Sequence, residues 1–433
     1  MLDHLAEICG ARYARRGGEG DAVAATTPRW VVSPGSPGVV ADVLRLCADR
    51  GLTLVPRGSG SKLDWGAAPP HVDILLDTVR LSGIWHHPPG SATVRVGAGT
   101  TLQAAQRAVG RTGWRLPFDP PSAAATVGGV VATAEAGPLS HRHGSPCRHL
   151  TGVDYVDATG ALVRAGSSGG GPDQVPELLC GSQGALAVLV SATVRLQPAP
   201  ADRRWVCRSV ATPLEVHDLV EELTGIGLQP AAIELDLPAS DAPSGSGPTG
   251  PDRAAGPRPT VRSGPAVRSG TLAVLFEGEP GPTGSRADRA AALLGGTATV
   301  TDRPPSWWQR YPFGPGDVAI RLAVPAAHLH AAIYALRDAV GAPVGVRGSA
   351  GTGVVHAVLP GATSPERIGG LLATVRTVLL ARGGTCQVLA APAAVRRSVD
   401  IWGDVPDLPR LRQLKQAFDP HRRLAPGRLP GGL

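Results

Sequence analysis

Apolar residues in the first part of the chain alternate between a β-like and a helical rhythm. Trp30-Val31-Val32 is a short apolar run closed by Ser33-Pro34-Gly35. Ser36 follows as an N-cap, with Pro37 at the first helical position, where its missing N–H costs nothing. Val39, Val40, Val43, Leu44 and Cys47 then recur at helical spacing until Gly51 stops the pattern. Leu52-Thr53-Leu54-Val55 resumes the β rhythm, so this segment predicts a β-α-β unit, a sheet covered by a helix.

The same reading carries on downstream. Asp73–Asp77 and Thr93–Val96 predict strands, and Thr101 caps a helix carrying Leu102, Ala105, Gln106 and Val109. Gly152–Asp157 and Ala161–Arg164 form a hairpin through Ala158-Thr159-Gly160, and Ala185–Leu196 reads as a buried strand. Pro198 and Pro200 mark a boundary. Beyond it, helical patterns cover Pro213–Gly225 and Ala326–Val340, with strands at Ala231–Leu237, Thr271–Glu277, Val318–Val324 and Val354–Leu359. The fold class is therefore α+β. Inside the second half, Ala239–Gly270 holds 6 Gly and 6 Pro in 32 residues and almost no large apolar side chain. Such a segment buries too little to offset its ordering entropy, so a disordered insertion over 239–270 is expected.

Composition narrows the function class. The chain has 433 residues with 57 Gly, 42 Pro and a formal charge of +7, and its only lysines are Lys62 and Lys415. The basic doublets are isolated and aromatic residues make up 4%, which argues against nucleic acid. No apolar run reaches the roughly 20 residues needed to span a bilayer. The N-terminus carries Asp3 and Glu7 where a signal peptide needs bases. A cytoplasmic protein is expected, with at most a peripheral association at the inner membrane face. Six cysteines, without a C-x-x-C pair, cannot wrap an iron–sulfur cluster locally and read as scattered free thiols in a reducing cytosol. The run His141–His149 is rich in imidazole and thiol, yet Arg142 and Arg148 inside it disfavour a dication; no metal is expected.

Three small-residue loops carry the candidate chemistry. The first is Pro56-Arg57-Gly58-Ser59-Gly60-Ser61-Lys62, directly after a β-like run. Its glycines and hydroxyl residues let successive N–H groups converge on phosphate oxygens, with Arg57 or Lys62 to add charge. It is neither a P-loop nor a dinucleotide fingerprint, and an ordinary tight turn is the alternative. The second, Pro120–Ala134, contains no long side chain, so its backbone can approach a flat ligand; tight helix–sheet packing is the alternative. The third is Gly181-Ser182-Gln183-Gly184-Ala185.

In this order, the three loops resemble the flavin-binding domain of the vanillyl-alcohol oxidase / p-cresol methylhydroxylase (PCMH-type) family, and within it the FAD-binding E subunit of bacterial glycolate oxidase. Trp65-Gly66, Ala136-Gly137-Pro138 and His143-Gly144 extend the match. So do Val399–Gly403, Leu414–Pro420 and Pro426-Gly427-Arg428 near the C-terminus. The resemblance implies a two-lobed PCMH-type FAD-binding domain at 29–200 after an N-terminal segment 1–28. It further implies an α+β cap domain at 201–395 and a segment 396–433 returning to the flavin domain. It implies FAD contacts at Pro56, Arg57, Gly58, Ser59, Gly60, Ser61 and Lys62. Further contacts are implied at Thr126, Val127, Gly128, Gly129, Ala132, Thr133, Gly137, Gly181, Gly184 and Val188.

The implied function is the FAD-binding subunit of a glycolate oxidase-type complex. A second flavin subunit and an iron–sulfur subunit would be its partners, with a small 2-hydroxy acid as substrate. The alternatives are a free-standing FAD-dependent hydroxy-acid oxidoreductase and a non-enzymatic scaffold that has lost FAD. The chain departs from the pattern at Cys147-Arg148, where Arg-Asp is usual, and at Gly169–Asp173, where only Asp173 is kept. In the cap, Ser349-Ala350-Gly351-Thr352-Gly353-Val354-Val355-His356 stands where the catalytic subunit of such complexes carries two histidines and an acid. Only His356 is retained there, and no residue is assigned to catalysis.

Overall fold

The computed structural model describes residues 1–166, 174–239 and 269–433. The glycine run 169–173 and almost all of the 239–270 insertion lie outside the described residues.

Three large sheets organise the described residues, with a two-stranded ribbon of Trp114–Arg115 and Gln197–Pro198 beside them. In the first, the strands Trp30–Val32, Ile74–Asp77 and Leu54–Arg57 pair in parallel, and Ala14–Arg16 adds an antiparallel edge. The predicted β-α-β unit is present: the helix Pro37–Arg50 starts with Ser36 Oγ accepting from Val39 N–H and ends at Gly51 with φ 64°. Its Val40, Val43, Leu44 and Cys47 are buried on this sheet. The first 28 residues also contribute, through a helix Leu2–Cys9 whose Leu5 reaches the same core.

The second sheet is antiparallel and five-stranded. Val188–Arg195 lies at its centre between Thr93–Gly97 and Leu150–Val156, and Leu162–Gly166 completes the predicted hairpin. The small-residue stretch after Pro120 becomes a short helix, Val127–Thr133, capped by the Thr126 hydroxyl. A Cβ at Gly128 would stand 2.7 Å from that of Ala98, so helix and sheet pack at a distance only glycine permits.

The third sheet has eight strands, all between Asp202 and Ala390. The helices Pro213–Gly225, Leu329–Val340 and Pro365–Leu380 contribute to its core. The C-terminal residues run back to the first two sheets: Leu54 N–H donates to Arg423 O, and Ala425 N–H to Leu54 O. Lys415 is fully buried there, donating to Asp419 Oδ2 (2.8 Å) and to the carbonyls of Ala185 and Leu424 (both 2.7 Å).

Candidate functional site

A cavity of about 660 Å³ opens where the first two sheets meet the third. The first glycine loop, the helix Val127–Thr133 and the third glycine loop form one wall; strands of the third sheet form the other. Pro56 through Lys62 all line it, as do Thr126, Gly128, Gly129, Ala132, Thr133, Gly137 and Gly184. The three remaining candidates sit behind the wall. Val127 and Val188 are fully buried in the hydrophobic cores, and Gly181 donates to Val131 O at 3.0 Å.

The first loop is a nest of free donors. Among the described residues, the backbone N–H groups of Gly58, Ser59, Gly60 and Ser61 have no protein acceptor. A Cβ at Gly58 would meet Thr126 Oγ1 at 2.2 Å, so the first two loops close on each other through a glycine. The side-chain charge runs differently from the expectation. Arg57 is fully engaged, donating to Asp21 Oδ1 at 3.0 Å and to Asp77 Oδ2 at 2.8 Å. Arg15 first, and Arg57 with it, hold Asp21 well below the usual carboxylate range. Lys62 is bound to Glu135 and to Ser122 Oγ (3.0 Å). Burial pulls the Lys62 ammonium below its ordinary value, with Glu135 acting against that. Attraction for an anion therefore comes from backbone dipoles rather than from Arg57.

Glu135 is the hub of this wall. It accepts from Ser122 N–H (3.2 Å), Ser122 Oγ (2.7 Å) and Tyr311 OH (2.7 Å), besides Lys62. Tyr311 comes from the third-sheet half, so this bond ties the two walls together. Burial and the adjacent Glu135 raise the Tyr311 phenol well above its ordinary value. Tyr311 stacks on Phe313 at 4.9 Å and meets the rings of Trp65 and His356 edge-on at 5.3 and 4.9 Å.

Opposite the small-residue floor stand Arg321, His356 and Glu234. Arg321 lies on the strand Val318–Ala323 directly across from His356 on Val354–Leu359. Among the described residues, the Arg321 side chain has neither an ion pair nor a hydrogen bond. That is unusual for a guanidinium buried enough to have its pKa lowered by desolvation. Burial first, and Arg321 second, push the His356 imidazole down to about 3, so it is neutral at physiological pH. Glu234 is pushed up to about 8 by burial, with one carboxylate oxygen unpartnered.

The residues present suit FAD: free N–H donors at one end, a floor of Gly, Ala and Thr against which a flat ring can lie, and the Arg321 guanidinium, which has no acceptor among the described residues. Sequence reasoning missed Glu135, Tyr311 and Arg321. Glu135 is the only charged residue in the stretch 119–141 apart from Asp119, a signal that was there to be used. Tyr311 and Arg321 carried none: a loop before the strand Val318–Ala323 brings Tyr311 to the cavity, and sheet register brings Arg321. One expectation is overturned: the cysteines are not all free. Cys147 and Cys180 form a disulfide with Cα atoms 5.6 Å apart; their 33-residue separation hid a pairing made by the fold, not by local spacing.

Comparison with known proteins agrees with the cavity. Residues 28–166 match the FAD binding domain family. The chain carries an FAD binding domain. A D-lactate dehydrogenase of Archaeoglobus fulgidus is 30% identical over 47% of this chain, spanning 46% of that protein. An FAD-linked oxidoreductase of Mycobacterium tuberculosis is 26% identical over 92% of this chain and 90% of its own length. The glycolate oxidase subunit GlcD of Bacillus subtilis is 26% identical over 49% of this chain and 46% of that subunit. The chain thus spans about half the length of several of its relatives and nearly all of another. The matched domain and the likeness to an FAD-linked oxidoreductase over most of the chain support FAD as its cofactor. Solved alkyldihydroxyacetonephosphate synthase shares the fold, with a TM-score of 0.64 at 15% identity over 92% of this chain and 76% of that one. Among the described residues no group of side chains could hold a metal ion, and no helix is long and apolar enough to cross a membrane.

Proposed function

We propose that the chain itself oxidises a small 2-hydroxy acid, binding its carboxylate on Arg321 and passing the hydroxyl proton to His356. The observation that carries this reading is the unpartnered Arg321 guanidinium directly opposite a neutral imidazole in the cavity wall. A carboxylate is the natural complement of a buried, planar, always-cationic fork. A neutral imidazole is the form that accepts a proton. FAD, when bound, supplies the hydride acceptor. The proton goes to His356, and the two electrons leave the substrate with the hydrogen on its hydroxyl-bearing carbon.

The FAD contacts proposed are the free N–H groups of Gly58–Ser61 for the pyrophosphate and the Thr126–Thr133 helix for the ring. Electrons then pass to an acceptor outside the described residues of this chain, which have no cluster-binding cysteines. An iron–sulfur partner in a glycolate oxidase-type complex is the acceptor we favour.

Oxalate, a dianion that cannot be oxidised by hydride loss, tests the anchor. Added to the FAD-loaded chain, it is expected to perturb the flavin spectrum saturably, and to do so far more weakly with Arg321→Met. Equal affinity in both proteins would remove Arg321 from the reading.

A further inference from the structure

The Cys147–Cys180 disulfide occupies a particular place beside the FAD cavity. Cys147 follows Ser145, a cavity-lining residue, by two positions and lies in the turn Pro146–His149. Cys180 ends the helix Val175–Leu179 and immediately precedes the third glycine loop, whose Ser182, Gln183 and Gly184 line the cavity. That loop is held in an unfavourable shape. Gly181, Gln183 and Gly184 all have positive φ (82°, 54° and 74°), and Gln183 bears a side chain in the left-handed region. Two hydrogen bonds connect it to the ring-floor helix: Gly181 N–H to Val131 O at 3.0 Å and Gln183 N–H to Ala132 O at 2.7 Å. The disulfide is the covalent tie that fixes the residue immediately before it.

We infer that Cys147–Cys180 is a reducible site that sets how tightly the chain holds FAD. In the oxidised form the bond clamps the third loop against the Val127–Thr133 helix. A dithiol reductant opens it by thiol–disulfide exchange. The attacking thiolate breaks the Cys147–Cys180 bond, and the reductant leaves as its own disulfide. Two electrons and two protons end on Cys147 and Cys180. Access permits this, since both residues are only half-buried. Of the four free thiols, Cys207 is half-buried, and burial raises its thiol above the ordinary value. Cys9, Cys47 and Cys386 are buried, and that burial raises their thiols to about 11, 12 and 12, away from the reactive thiolate.

Coupling between the disulfide and FAD runs both ways. Reduction is expected to weaken FAD binding by roughly 5- to 100-fold, and bound FAD to shift the disulfide equilibrium toward the oxidised form by the same factor. This rests on FAD occupying the cavity, so two readouts are needed. FAD titration of the oxidised and dithiothreitol-reduced chain, followed by flavin fluorescence, gives the affinity ratio. Amide hydrogen exchange over residues 175–187, with no FAD added, reports the clamp alone.

The expected results are weaker FAD binding and faster exchange after reduction. The Cys147→Ser/Cys180→Ser variant should behave as the reduced protein and should not respond to dithiothreitol. Equal affinity in the two redox states, or exchange that reduction leaves unchanged, would overturn the inference. An oxidised chain that takes up no FAD, yet shows faster exchange on reduction, would leave the clamp standing and defeat the placement of FAD.

Discussion

Arg321 and His356 are direct cross-strand neighbours on two antiparallel strands of the eight-stranded sheet, and both line the cavity. Each explains the other. The guanidinium helps keep the imidazole neutral, and among the described residues no carboxylate pairs with it, so it is the proposed partner of one from outside.

Replacing Arg321 with Ala should therefore raise KM for a 2-hydroxy acid by about 10- to 100-fold, the worth of a charge-assisted pair. Steady-state kinetics would show it, with FAD content unchanged. A KM that does not move would assign the carboxylate to another group.

His356→Asn should lower kcat by roughly 100- to 10,000-fold while leaving KM within a few-fold, as expected for loss of a proton acceptor. Because the imidazole is held near 3, native kcat/KM should show no imidazole-type break between about pH 5 and 8. An acid limb centred near the ordinary imidazole value would contradict the electrostatics described for this pair.

Glu234 makes a separate pH prediction. Its folded pKa, pushed up to about 8 by burial, lies above its unfolded one, so the folded chain binds the extra proton and loses stability as pH rises from about 4.5 to 8. Glu234→Gln should match the native chain near pH 4 and be more stable near pH 8.5, by at most about 5 kcal/mol at about 1.4 kcal/mol per unit. Thermal melts of the FAD-free chain at the two pH values measure the difference. A variant no more stable at high pH would show that Glu234 ionises freely.

The two halves are joined by a buried ion pair. Arg115, on the strand before the second loop, donates twice to Glu277 of the third sheet at 2.8 and 2.6 Å, and Arg203 adds a third contact at 3.0 Å. Glu277→Ala leaves Arg115 buried and unpaired, so a loss of about 3–5 kcal/mol is expected in denaturant unfolding. A loss below about 1 kcal/mol would mean that the pair is a bystander.

Much of the fold was legible because its signals are local. The cap at Ser36 with the stop at Gly51, the Thr101 cap and the 152–164 hairpin each lie within a few residues of the pattern that predicts them. The small-residue loop at Gly58–Ser61, which lines the cavity, was legible for the same reason. What could not be read depends on contacts far apart in the chain. Arg57 looked like an anion ligand until Asp21 and Asp77 closed on it, and Lys62 until Glu135 did. For the stretch that forms the helix Val127–Thr133, approach to a flat ligand and tight helix–sheet packing stood as alternatives, because the one stretch both packs on Ala98 and lines the cavity. Arg321 reaches the site by sheet register, and Cys147 meets Cys180 across separate elements.

Anaerobic reduction of the FAD-loaded chain by glycolate or lactate, with no partner protein present, tests the central claim most directly. The account predicts loss of the visible flavin absorbance with native protein and a severe slowing with His356→Asn. Bound flavin that stays fully oxidised across a panel of small 2-hydroxy acids would contradict it.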